Sequence, residues 1–598
     1  MREIKANCSF CSLSCPLIYR GGRRSPVFSG DTLLTVDWDR SEGSEYEGSL
    51  CARGNAAASF LSHPDRLNYP FVLGERTDFV SAVKEAASEL SSIMEKDGSD
   101  SIGILLGDNL TSEEASMAVR FAREVIGTEN IMMLAPDDLP LFRGWFDSDL
   151  SSVRPAGGEP DGNHSVTLIV GDTFADHPCT ARSVLDERYG GRGNELIVVS
   201  PNVTNTAWFA TRHLKCNPGG EAATVLGMLK AAVEKSGAAL PGQLQKLVEN
   251  TGWNEIERLS GIKSDSIEEA AIATLGAAKI TTYISNIFGR IGAVALAEVA
   301  AEALTRICPG ESSFTAQFVR QNSLGVYAAL QGIDRQKMLS NLVEGRIKGL
   351  IILGLDLMSE YPAPAVEKSI REDTFTLATQ IFRGTTAERA NVVIPAASLS
   401  EKKGTVYPEF DKKIARGEDN IIDPPGGVFT DAEFMEALSE EMGSELKLEE
   451  GSDLNIQRSG KMEWISEEWS DYTKEMKTLD GADTVLIPLS DPVHVGNGSL
   501  SRHFSWSRRN SPEPLLVMPA GLAGELNIRE GEKAVAETEG GSSSFKVRIS
   551  DRIGEGTVGV YIHYPSARKL FPWKLKSNKG ELEMMPVGVT ISAEEKKS

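Results

Sequence analysis

Residues 6–17 of the chain read ANCSFCSLSCPL, which places Cys8, Cys11 and Cys15 within eight residues. The whole chain has only seven cysteines in 598 residues, so this group is far denser than the rest. A fourth cysteine, Cys51, follows in the stretch CARG. Cysteines grouped in this way close a disulfide-bonded loop, bind a zinc ion or hold an iron–sulfur cluster.

A disulfide framework is the least favoured of these alternatives. The number of cysteines is odd, and the N-terminal residues MREIKANCSF lack the apolar stretch of a secretory signal. We therefore expect a cytoplasmic protein with reduced thiols. An oxygen-sensitive cluster on these thiols would in addition indicate an anaerobic setting.

The spacing separates zinc from an iron–sulfur cluster. It reads Cys8-x2-Cys11-x3-Cys15, followed by 35 residues and then Cys51. A structural four-cysteine zinc site usually pairs two short C-x-x-C knuckles, and here the fourth cysteine stands alone. A [4Fe–4S] cluster takes one thiolate per iron and tolerates a distant fourth ligand. The spacing favours the cluster and leaves zinc and unliganded thiols as alternatives.

Composition limits the function further. The chain length predicts roughly three to five domains. No run of 18 apolar residues occurs in the sequence, so we expect no membrane span. The formal net charge is −23, from 62 basic and 85 acidic residues. Such a surface repels phosphate backbones, so no nucleic-acid partner is expected.

Alternating helix and strand patterns predict open α/β sheets between the cysteine group and residue 435. An amphipathic helix over 78–98 precedes a strand over 101–107, and a second helix covers 112–127 with Thr111 or Ser112 as its N-cap. Short apolar runs that end in small or polar residues predict further strands at 166–172, 195–201, 280–286, 349–356, 374–380 and 390–398. Ligands bind at the carboxyl ends of such parallel strands.

The C-terminal third has a different pattern. Residues 436–480 are strongly acidic and weakly periodic, which indicates a linker or surface insertion. Short strands with glycine turns follow in TVLIPLS, PLLVMP, KAVAETEGG, SFKVRIS and TVGVYIHY. This spacing predicts a β-barrel domain.

The motifs together resemble the molybdopterin oxidoreductase superfamily. That superfamily includes formate dehydrogenase α subunits, formylmethanofuran dehydrogenase B subunits and the large iron–sulfur subunit of respiratory complex I. The N-terminal C-x2-C-x3-C and the distant C-x-[KR]-G are similar to its cluster domain. Further similar segments follow in the same order as in the family: VTLIVGDTFADHPC, ELIVVSPN, LVEGRIKGLIILGLDLM, TTAERANVVIPAASLSEKKGT and GLAGELNIREGEKAVAETEGG.

This resemblance implies a four-domain α/β fold around pterin guanine dinucleotide that carries molybdenum or tungsten. It implies a [4Fe–4S] domain at 1–62 and a discontinuous α/β domain at 63–135 plus 310–435. A dinucleotide-binding-like α/β domain is expected at 136–309, an acidic linker or insertion at 436–482, and a pterin dinucleotide-binding-like β-barrel at 483–598.

The resemblance also implies roles for individual residues. Cys8, Cys11, Cys15 and Cys51 would ligate the cluster. Arg53 falls where the family places a Lys or Arg between cluster and pterin, which implies an electron relay; the alternative is a surface arginine. His177 is a candidate catalytic or pocket residue, and a structural histidine is the alternative. The positions expected to face the pterin are Gly171, Asp172, His177, Pro178, Ser200, Asn202, Gly219, Glu221, Gly354, Asp356, Glu401, Gly404 and Thr405.

Several positions depart from the family pattern. The region that normally supplies a Cys, selenocysteine, Ser or Asp metal ligand reads ENIMMLAPDDLPLFRGWFDSDLSS and has no cysteine. Asp137 or Asp138 could supply a carboxylate ligand, although a solvated turn is the alternative. The guanine-binding Asp of the family is Ser200 here, and a hydroxyl does not replace a carboxylate that accepts two hydrogen bonds. Cys179 lies beside His177-Pro178; we expect a buried structural thiol there, with an unusual metal ligand as the alternative.

Two functions remain open from the sequence. The first is an iron–sulfur redox subunit that passes electrons through one [4Fe–4S] cluster to iron–sulfur or flavin partner subunits. The alternative is a catalytic oxidoreductase with a Mo or W pterin centre that acts on a C1 substrate such as formate or a formyl group. Retention of Arg53, His177 and the C-terminal barrel favours the enzyme, whereas the missing metal ligand and the lost guanine contacts favour the redox subunit.

Overall fold

The computed structural model describes residues 2–21, 34–41, 49–135, 137–157, 160, 162–285, 293–361, 373–451, 454, 456–458, 460, 462–576, 581–585 and 587–594. Predicted strands and helices recur in it with small changes at their ends. Across these ranges, no helix combines the length and the apolar composition needed to cross a membrane.

The N-terminal segment forms a three-stranded antiparallel sheet of Arg2–Asn7, Pro16–Gly21 and Thr35–Trp38. The cysteine-rich stretch is the loop between the first two strands. It is closed by a hydrogen bond in which the Cys8 N–H donates to the Cys15 carbonyl at 2.9 Å. Two short helices, Ala52–Asn55 and Ala57–Leu61, follow the sheet.

A seven-stranded sheet draws its strands from two separate parts of the chain. Five of its strands run parallel to one another. A short hairpin of the other two strands pairs antiparallel with them at one edge. The order across the sheet is Glu75–Arg76, Phe71–Val72, Val392–Pro395, Phe375–Gln380, Gly349–Leu353, Ile102–Leu106 and Ile131–Met133. The predicted strands at 101–107, 349–356, 374–380 and 390–398 all belong to it.

The helices around this sheet begin where the sequence predicts. Phe79–Asp97 starts after Asp78, whose side chain accepts a hydrogen bond from the Ser81 N–H. Ser112–Arg120 starts after Thr111, which forms a reciprocal capping box with Glu114, and a π-helical turn over Phe121–Ile126 continues it. Thr111 is thus the N-cap, because its hydroxyl satisfies a backbone N–H that the first helical turn leaves free.

A five-stranded sheet is entirely parallel, and its central strand Ser165–Val170 is buried along its whole length. Its order is Arg212–Lys215, Glu195–Ser200, Ser165–Val170, Lys279–Ile284 and Glu311–Ala316. The three inner strands correspond to the predicted runs at 195–201, 166–172 and 280–286, of which Asn286 lies outside the described residues. The two outer strands, RHLK and ESSFTA, were not predicted because edge strands carry polar side chains.

Helices pack on both sheets. Those of eight or more residues not yet given are Leu139–Phe146, Thr180–Gly190, Glu221–Ser236, Gly242–Asn250, Trp253–Ser260, Ser264–Leu275, Val294–Ile307, Arg335–Val343, Asp431–Glu441 and Ile465–Lys477. Shorter ones are Thr173–Asp176, Ser323–Ala329, Leu357–Glu360, Thr385–Arg389, Ser505–Asn510, Ala520–Glu525 and Pro565–Arg568. Two hairpins, Gly404–Glu409 with Lys412–Arg416 and Trp573–Lys576 with Glu581–Met584, complete the elements that position the site.

The C-terminal segment forms a mixed seven-stranded sheet that curls toward closure. Its order is Val587–Gly588, Val485–Leu489, Thr557–Tyr561, Leu515–Met518, Gly541–Ile549, Lys533–Thr538 and Thr590–Ala593. The two edge strands are separated in the chain by Val589 alone, so the sheet edges are held near each other. The predicted barrel-like architecture is confirmed.

The acidic segment between the sheets contributes to the packed structure. Its helix Ile465–Lys477 buries Trp469, Tyr472 and Met476 against the main hydrophobic core. The Tyr472 hydroxyl donates to the Gly219 carbonyl at 3.0 Å. This apolar stripe lies within an otherwise acidic stretch, which is why composition alone indicated a linker. The domain boundaries at 62, 135, 309, 435 and 482 stay predictions.

Candidate functional site

The four cysteines of the predicted cluster site line one buried cavity. Cys8, Cys11 and Cys15 come from the hairpin loop, and Cys51 comes from the start of the helix Ala52–Asn55. A fifth cysteine, Cys179, lies in the same cavity wall. The hairpin loop is also held from outside, because the Gln321 amide donates to the Cys8 carbonyl at 2.7 Å and to the Ser14 hydroxyl at 2.8 Å.

Burial and the neighbouring thiols raise the pKa values of these cysteines, so the thiols stay neutral when no metal is bound. Burial raises the pKa of Cys11 to about 11. Burial and the neighbouring thiols Cys11 and Cys51 raise the pKa of Cys8 as well. A bound metal inverts this preference, because a coordinating thiol is deprotonated. Four such thiols on one cavity match the ligand set of a [4Fe–4S] cluster, one thiolate per iron.

Arg53 connects this cavity to the edge of the five-stranded sheet. Its side chain is 1% exposed, so the surface alternative is excluded. Its Nη2 donates to the carbonyls of Asp176 at 2.6 Å and Ala175 at 3.2 Å. Burial acts to lower the pKa of Arg53, but the nearby Cys51, Cys11 and Asp176 outweigh it and raise that pKa. The guanidinium therefore stays charged, and its Nε has no hydrogen-bond partner among the described residues.

The loop after the strand Ser165–Val170 carries Gly171, Asp172, His177 and Pro178. Asp172 is buried, and one of its oxygens accepts from the Thr206 N–H at 3.0 Å and from the Thr206 hydroxyl at 2.7 Å. His177 is fully buried, and its Nε2 lies 2.7 Å from the Phe318 carbonyl, to which it donates. Burial lowers the pKa of His177 to about 3, so the imidazole is neutral. Pro178 lines the cysteine cavity.

The next positions at this sheet edge contact protein groups. The Ser200 hydroxyl donates to the Asn202 carbonyl at 3.0 Å and also lies 3.0 Å from the His213 Nε2. Gly219 carries the carbonyl that Tyr472 binds. Burial raises the pKa of Glu221 to about 8, and its Oε1 has no partner among the described residues. The structure thus brings these residues to the predicted edge, where Ser200 and Gly219 bind protein atoms while the buried Asn202 Oδ1 and Glu221 Oε1 have no partner among the described residues.

A second cavity, of about 300 Å³, lies at the carboxyl edge of the seven-stranded sheet. The predicted residues Gly354 and Asp356 line it. The loop over 497–503 of the C-terminal segment covers it from the other side. Its charged lining residues are Asp108, Arg320, Asp356, Glu360, Arg383, Glu388 and Arg502. Arg320 already pairs with Asp108 and Glu360, which leaves Arg383 and Arg502 as the lining groups with the chemistry to hold a phosphate-bearing cofactor after a parallel strand.

Glu401, Gly404 and Thr405 are not among the residues that line this cavity. The Glu401 carboxylate forms a buried two-pronged ion pair with Arg66, with 2.7 Å between Arg66 Nη1 and Glu401 Oε1. The Thr405 N–H donates to Glu113 Oε2 at 2.7 Å. Gly404 has a φ of +129°, and a Cβ there would meet Glu113 Oε2 at 2.6 Å. These contacts favour a structural role for the turn, which joins the N-terminal segment to the sheet.

The Asp138 carboxylate is fully buried and accepts three hydrogen bonds. Its oxygens accept from the Val319 N–H at 2.7 Å, the Arg320 N–H at 3.3 Å and the Ser323 hydroxyl at 2.6 Å. Burial raises its pKa to about 7. The neighbouring Asp137 is also buried, so the turn is not solvated. The contacts of Asp138 favour an anchor for the loop 319–323 over a metal ligand.

Sequence reasoning missed several residues that the structure brings to this region. Arg320 lies in the second cavity, with its Nη2 3.1 Å from Asn497 Oδ1 and its Nε 3.4 Å from Asp108 Oδ2. His494 and His563 lie with ring centroids 5.1 Å apart, and burial lowers both pKa values. The glycine-containing turn HVGNG after the strand Val485–Leu489 is the sequence signal that marks this loop.

Comparisons with known proteins agree with this architecture. A family model described as the molydopterin dinucleotide binding domain matches residues 486–583. The chain is 23% identical, over 87% of its length and 89% of the relative, to the F420-dependent formate dehydrogenase 2 subunit alpha of Methanococcus maripaludis. It is 21% identical to the nitrate reductase of Klebsiella oxytoca, over 87% of this chain and 64% of the relative. The solved acetylene hydratase from Pelobacter acetylenicus superposes with a TM-score of 0.74 at 15% identity, covering 99% of this chain and 100% of that one.

The sheets, the curled C-terminal sheet and the superposition define a multi-domain α/β fold of the kind predicted, which confirms the fold class. The matched dinucleotide-binding domain and the relatives support the molybdopterin oxidoreductase superfamily that the sequence motifs resemble.

Proposed function

We propose that this chain is the catalytic subunit of a molybdenum- or tungsten-dependent oxidoreductase that acts on a C1 substrate such as formate. Oxidation of formate breaks its C–H bond and yields carbon dioxide, a proton and two electrons. When bound, the metal–pterin group would accept these two electrons and a [4Fe–4S] cluster would pass them on singly. The catalytic alternative is thus favoured over a subunit that only transfers electrons.

Arg53 is the observation that carries this proposal. A buried arginine loses several kcal/mol of hydration, which pairing with anions must offset. Two carbonyl oxygens and the Cys51 side chain accept hydrogen bonds from Arg53, and its Nε is unpartnered among the described residues. A reduced cluster on one side and a pterin on the other would supply the missing negative charge and acceptors. A subunit without the pterin would have less use for a cation between the cluster and this loop.

The chain has residues that fit a [4Fe–4S] cluster and residues that fit part of a pterin dinucleotide. Cys8, Cys11, Cys15 and Cys51 would hold the cluster. Gly354, Asp356, Arg383 and Arg502 line the cavity that would hold a pterin dinucleotide, the arginines by contacts to its phosphates. Neutral His177 would position the loop between the two sites, since its ring joins that loop to Phe318.

The described residues do not supply an evident protein ligand for Mo or W. Asp138 is engaged by three donors, so we assign it to the loop and not to the metal. The sequence has no cysteine over 129–152. This observation favours a second candidate function, an electron-transfer subunit that keeps the fold and the cluster without Mo or W.

Relatives support a multi-subunit assembly. Two of them are named alpha subunits of F420-dependent formate dehydrogenases. A single cluster needs a further electron carrier, so we propose iron–sulfur or flavin partner subunits, no nucleic-acid partner and a cytoplasmic location.

Metal and pterin analysis of anaerobically purified protein tests the proposal. We expect about four irons per chain, one cysteine ligand per iron, together with stoichiometric Mo or W and pterin. Four irons with neither Mo, W nor pterin would refute the catalytic proposal and establish the electron-transfer subunit instead.

A further inference from the structure

A second group of metal-ligating side chains lies outside the cysteine cavity. His63, Asp65 and His503 each offer one ligand atom, and these three atoms lie within 4.8 Å of one another. His63 and Asp65 follow the helix Ala57–Leu61, whereas His503 ends the loop over 497–503 that covers the second cavity. The group therefore joins two segments that are far apart in the chain.

Aromatic packing fixes the two imidazole rings. The His503 ring stacks on the Phe382 ring, with centroids 3.8 Å apart and an angle of 9° between the planes. His63 meets the same phenylalanine edge-on, with centroids 5.7 Å apart. The centroids of the two imidazoles are 5.4 Å apart. Because Phe382 orients both histidines before any ligand binds, binding would cost little further side-chain entropy.

The protein uses the polar atoms of this group only in part. His503 Nδ1 is buried and has no hydrogen-bond partner among the described residues. His63 Nδ1 accepts from the Asp65 N–H at 3.1 Å and lies 3.8 Å from Asp65 Oδ2. A buried nitrogen without a partner costs free energy, which a bond to a metal would remove. A cation on the Asp65 side of the His63 ring would replace a single hydrogen bond.

Two imidazoles and one carboxylate are a donor set of zinc. Zn²⁺ binds His N and Asp O at about 2.0–2.2 Å, and with three protein ligands it keeps a fourth position for water. The ligand atoms must then close to about 3.3 Å from one another. The Asp65 side chain is 55% exposed, so it can rotate to make this closure. Ca²⁺ and Mg²⁺ are disfavoured because both prefer oxygen ligands.

Arg508 competes with a cation for Asp65. Its Nη2 donates to Asp65 Oδ2 at 2.7 Å. Both side chains are about half exposed, so this ion pair contributes little to stability. A divalent cation that is also held by two imidazoles can displace a single exposed guanidinium. The affinity for zinc should therefore increase when residue 508 loses its charge.

We propose that His63, Asp65 and His503 form a zinc site that fastens the loop over 497–503 to the N-terminal segment. Since this loop covers the second cavity, the metal would hold the cover in place. The three ligands are not among the residues that line the cysteine cavity. The inference therefore depends neither on the [4Fe–4S] cluster nor on Mo or W.

The test is equilibrium dialysis of the anaerobically purified protein against zinc chloride, with zinc and iron counted in each sample. We expect the wild type to bind a zinc ion per chain in addition to its iron. His63→Ala and His503→Phe should lower the zinc affinity by at least about 100-fold, the upper range for loss of an outer partner at a metal site, and should keep their iron. The phenylalanine of His503→Phe retains the stack on Phe382, so this variant tests the nitrogen and not the packing. His164→Gln is the matched control, because His164 is a partly buried histidine outside the group.

X-ray absorption at the zinc edge separates this site from zinc on the thiols. Zinc on the proposed ligands has N and O neighbours at about 2.0–2.2 Å, whereas thiolates give a sulfur shell at about 2.3 Å. Arg508→Gln should bind zinc more tightly than the wild type. Arg509→Gln removes a neighbouring exposed charge and should leave the affinity unchanged.

Three results would overturn the inference. A wild type that binds no zinc, or that binds it with sulfur neighbours alone, would exclude the site. Zinc binding by His63→Ala and His503→Phe equal to that of the wild type would exclude these ligands. An Arg508→Gln variant that binds zinc no more tightly than the wild type would remove Asp65 from the ligand set. Absence of Mo, W and pterin would refute the catalytic proposal alone and would leave the zinc measurement unaffected.

Discussion

The buried ion pair between Arg66 and Glu401 yields a prediction that separates a structural from a cofactor-binding role. Glu401 lies in the turn whose family counterpart borders the cofactor, yet it is almost fully buried against Arg66. We consider Glu401→Gln, which keeps the size of the side chain and removes its charge. The amide oxygen can still accept from the Ser398 N–H, which Glu401 Oε2 binds at 2.9 Å.

The expected cost follows from the contacts. Arg66 retains the Leu61 carbonyl at 3.1 Å as an acceptor but loses its only described carboxylate. Two unit charges about 4 Å apart attract each other by about 4 kcal/mol at an effective dielectric constant of 20. Loss of one partner of a buried pair typically costs about 3–5 kcal/mol, because the other charge stays buried. We therefore expect Glu401→Gln to lose about 3–5 kcal/mol of unfolding free energy.

A urea titration of anaerobic protein, followed by circular dichroism, measures this loss. The double variant Arg66→Met/Glu401→Leu leaves no buried charge and should unfold near the wild-type midpoint. Glu418 is the matched control, since it pairs with Lys403 at the exposed surface, and Glu418→Gln should not move the midpoint. An unchanged midpoint for Glu401→Gln together with a lower pterin content would refute the structural assignment and return Glu401 to the cofactor site.

Three further predictions concern the candidate site. Cys11→Ser should abolish the low-potential [4Fe–4S] EPR signal and lower the iron content, and an unchanged signal would mean that the ligands are misassigned. Arg53→Gln should keep its iron but lose roughly tenfold or more in formate-dependent dye reduction, because charge-assisted hydrogen bonds of about 1.5–3 kcal/mol are lost; Arg53→Lys should lose less, and full activity of Arg53→Gln would contradict the relay role. Burial lowers the pKa of His177 from 6.5 to about 3, so below pH 6.5 the unfolded chain takes up a proton that the folded chain rejects. The contribution of His177 to the unfolding free energy should therefore decrease as the pH is lowered below 6.5, by up to about 1.4 kcal/mol per unit, whereas the buried acids Asp138 and Glu221 contribute in the opposite direction. The difference in unfolding free energy between the wild type and His177→Gln should therefore shift against the wild type between pH 7 and 5 in urea titrations, and a difference that does not change with pH would refute the burial argument.

Strands and helices with a strong local signal were predictable. The buried parallel strands are continuous apolar runs such as GLIIL and VTLIV, whose pattern depends only on neighbouring residues. The N-cap Thr111 was identified because the capping residues stand three apart in the chain. The edge strands Arg212–Lys215 and Glu311–Ala316 were missed because their polar side chains carry no such pattern.

Other features depend on contacts between distant parts of the chain. The helix Ile465–Lys477 lies in an acidic stretch, and its burial follows from packing of Trp469 and Tyr472 on the main core. The sequence predicts Asp138 as a turn residue or metal ligand, but in the structure the loop 319–323 donates hydrogen bonds to its carboxylate. The resemblance implies Glu401 as a cofactor residue, but in the structure it forms a buried ion pair with Arg66.

The sequence by itself determined the resemblance to the superfamily, the α/β fold and the four cysteines proposed to hold the cluster, because ligand spacing and hydrophobic periodicity are properties of short segments. Only the tertiary structure decided that Arg53 is buried between the cysteine cavity and the loop at Asp176, and that Cys179 joins the other four cysteines. These relations link residues more than 100 positions apart. They arise where the N-terminal hairpin packs on the edge of the five-stranded sheet, and no local pattern encodes that contact.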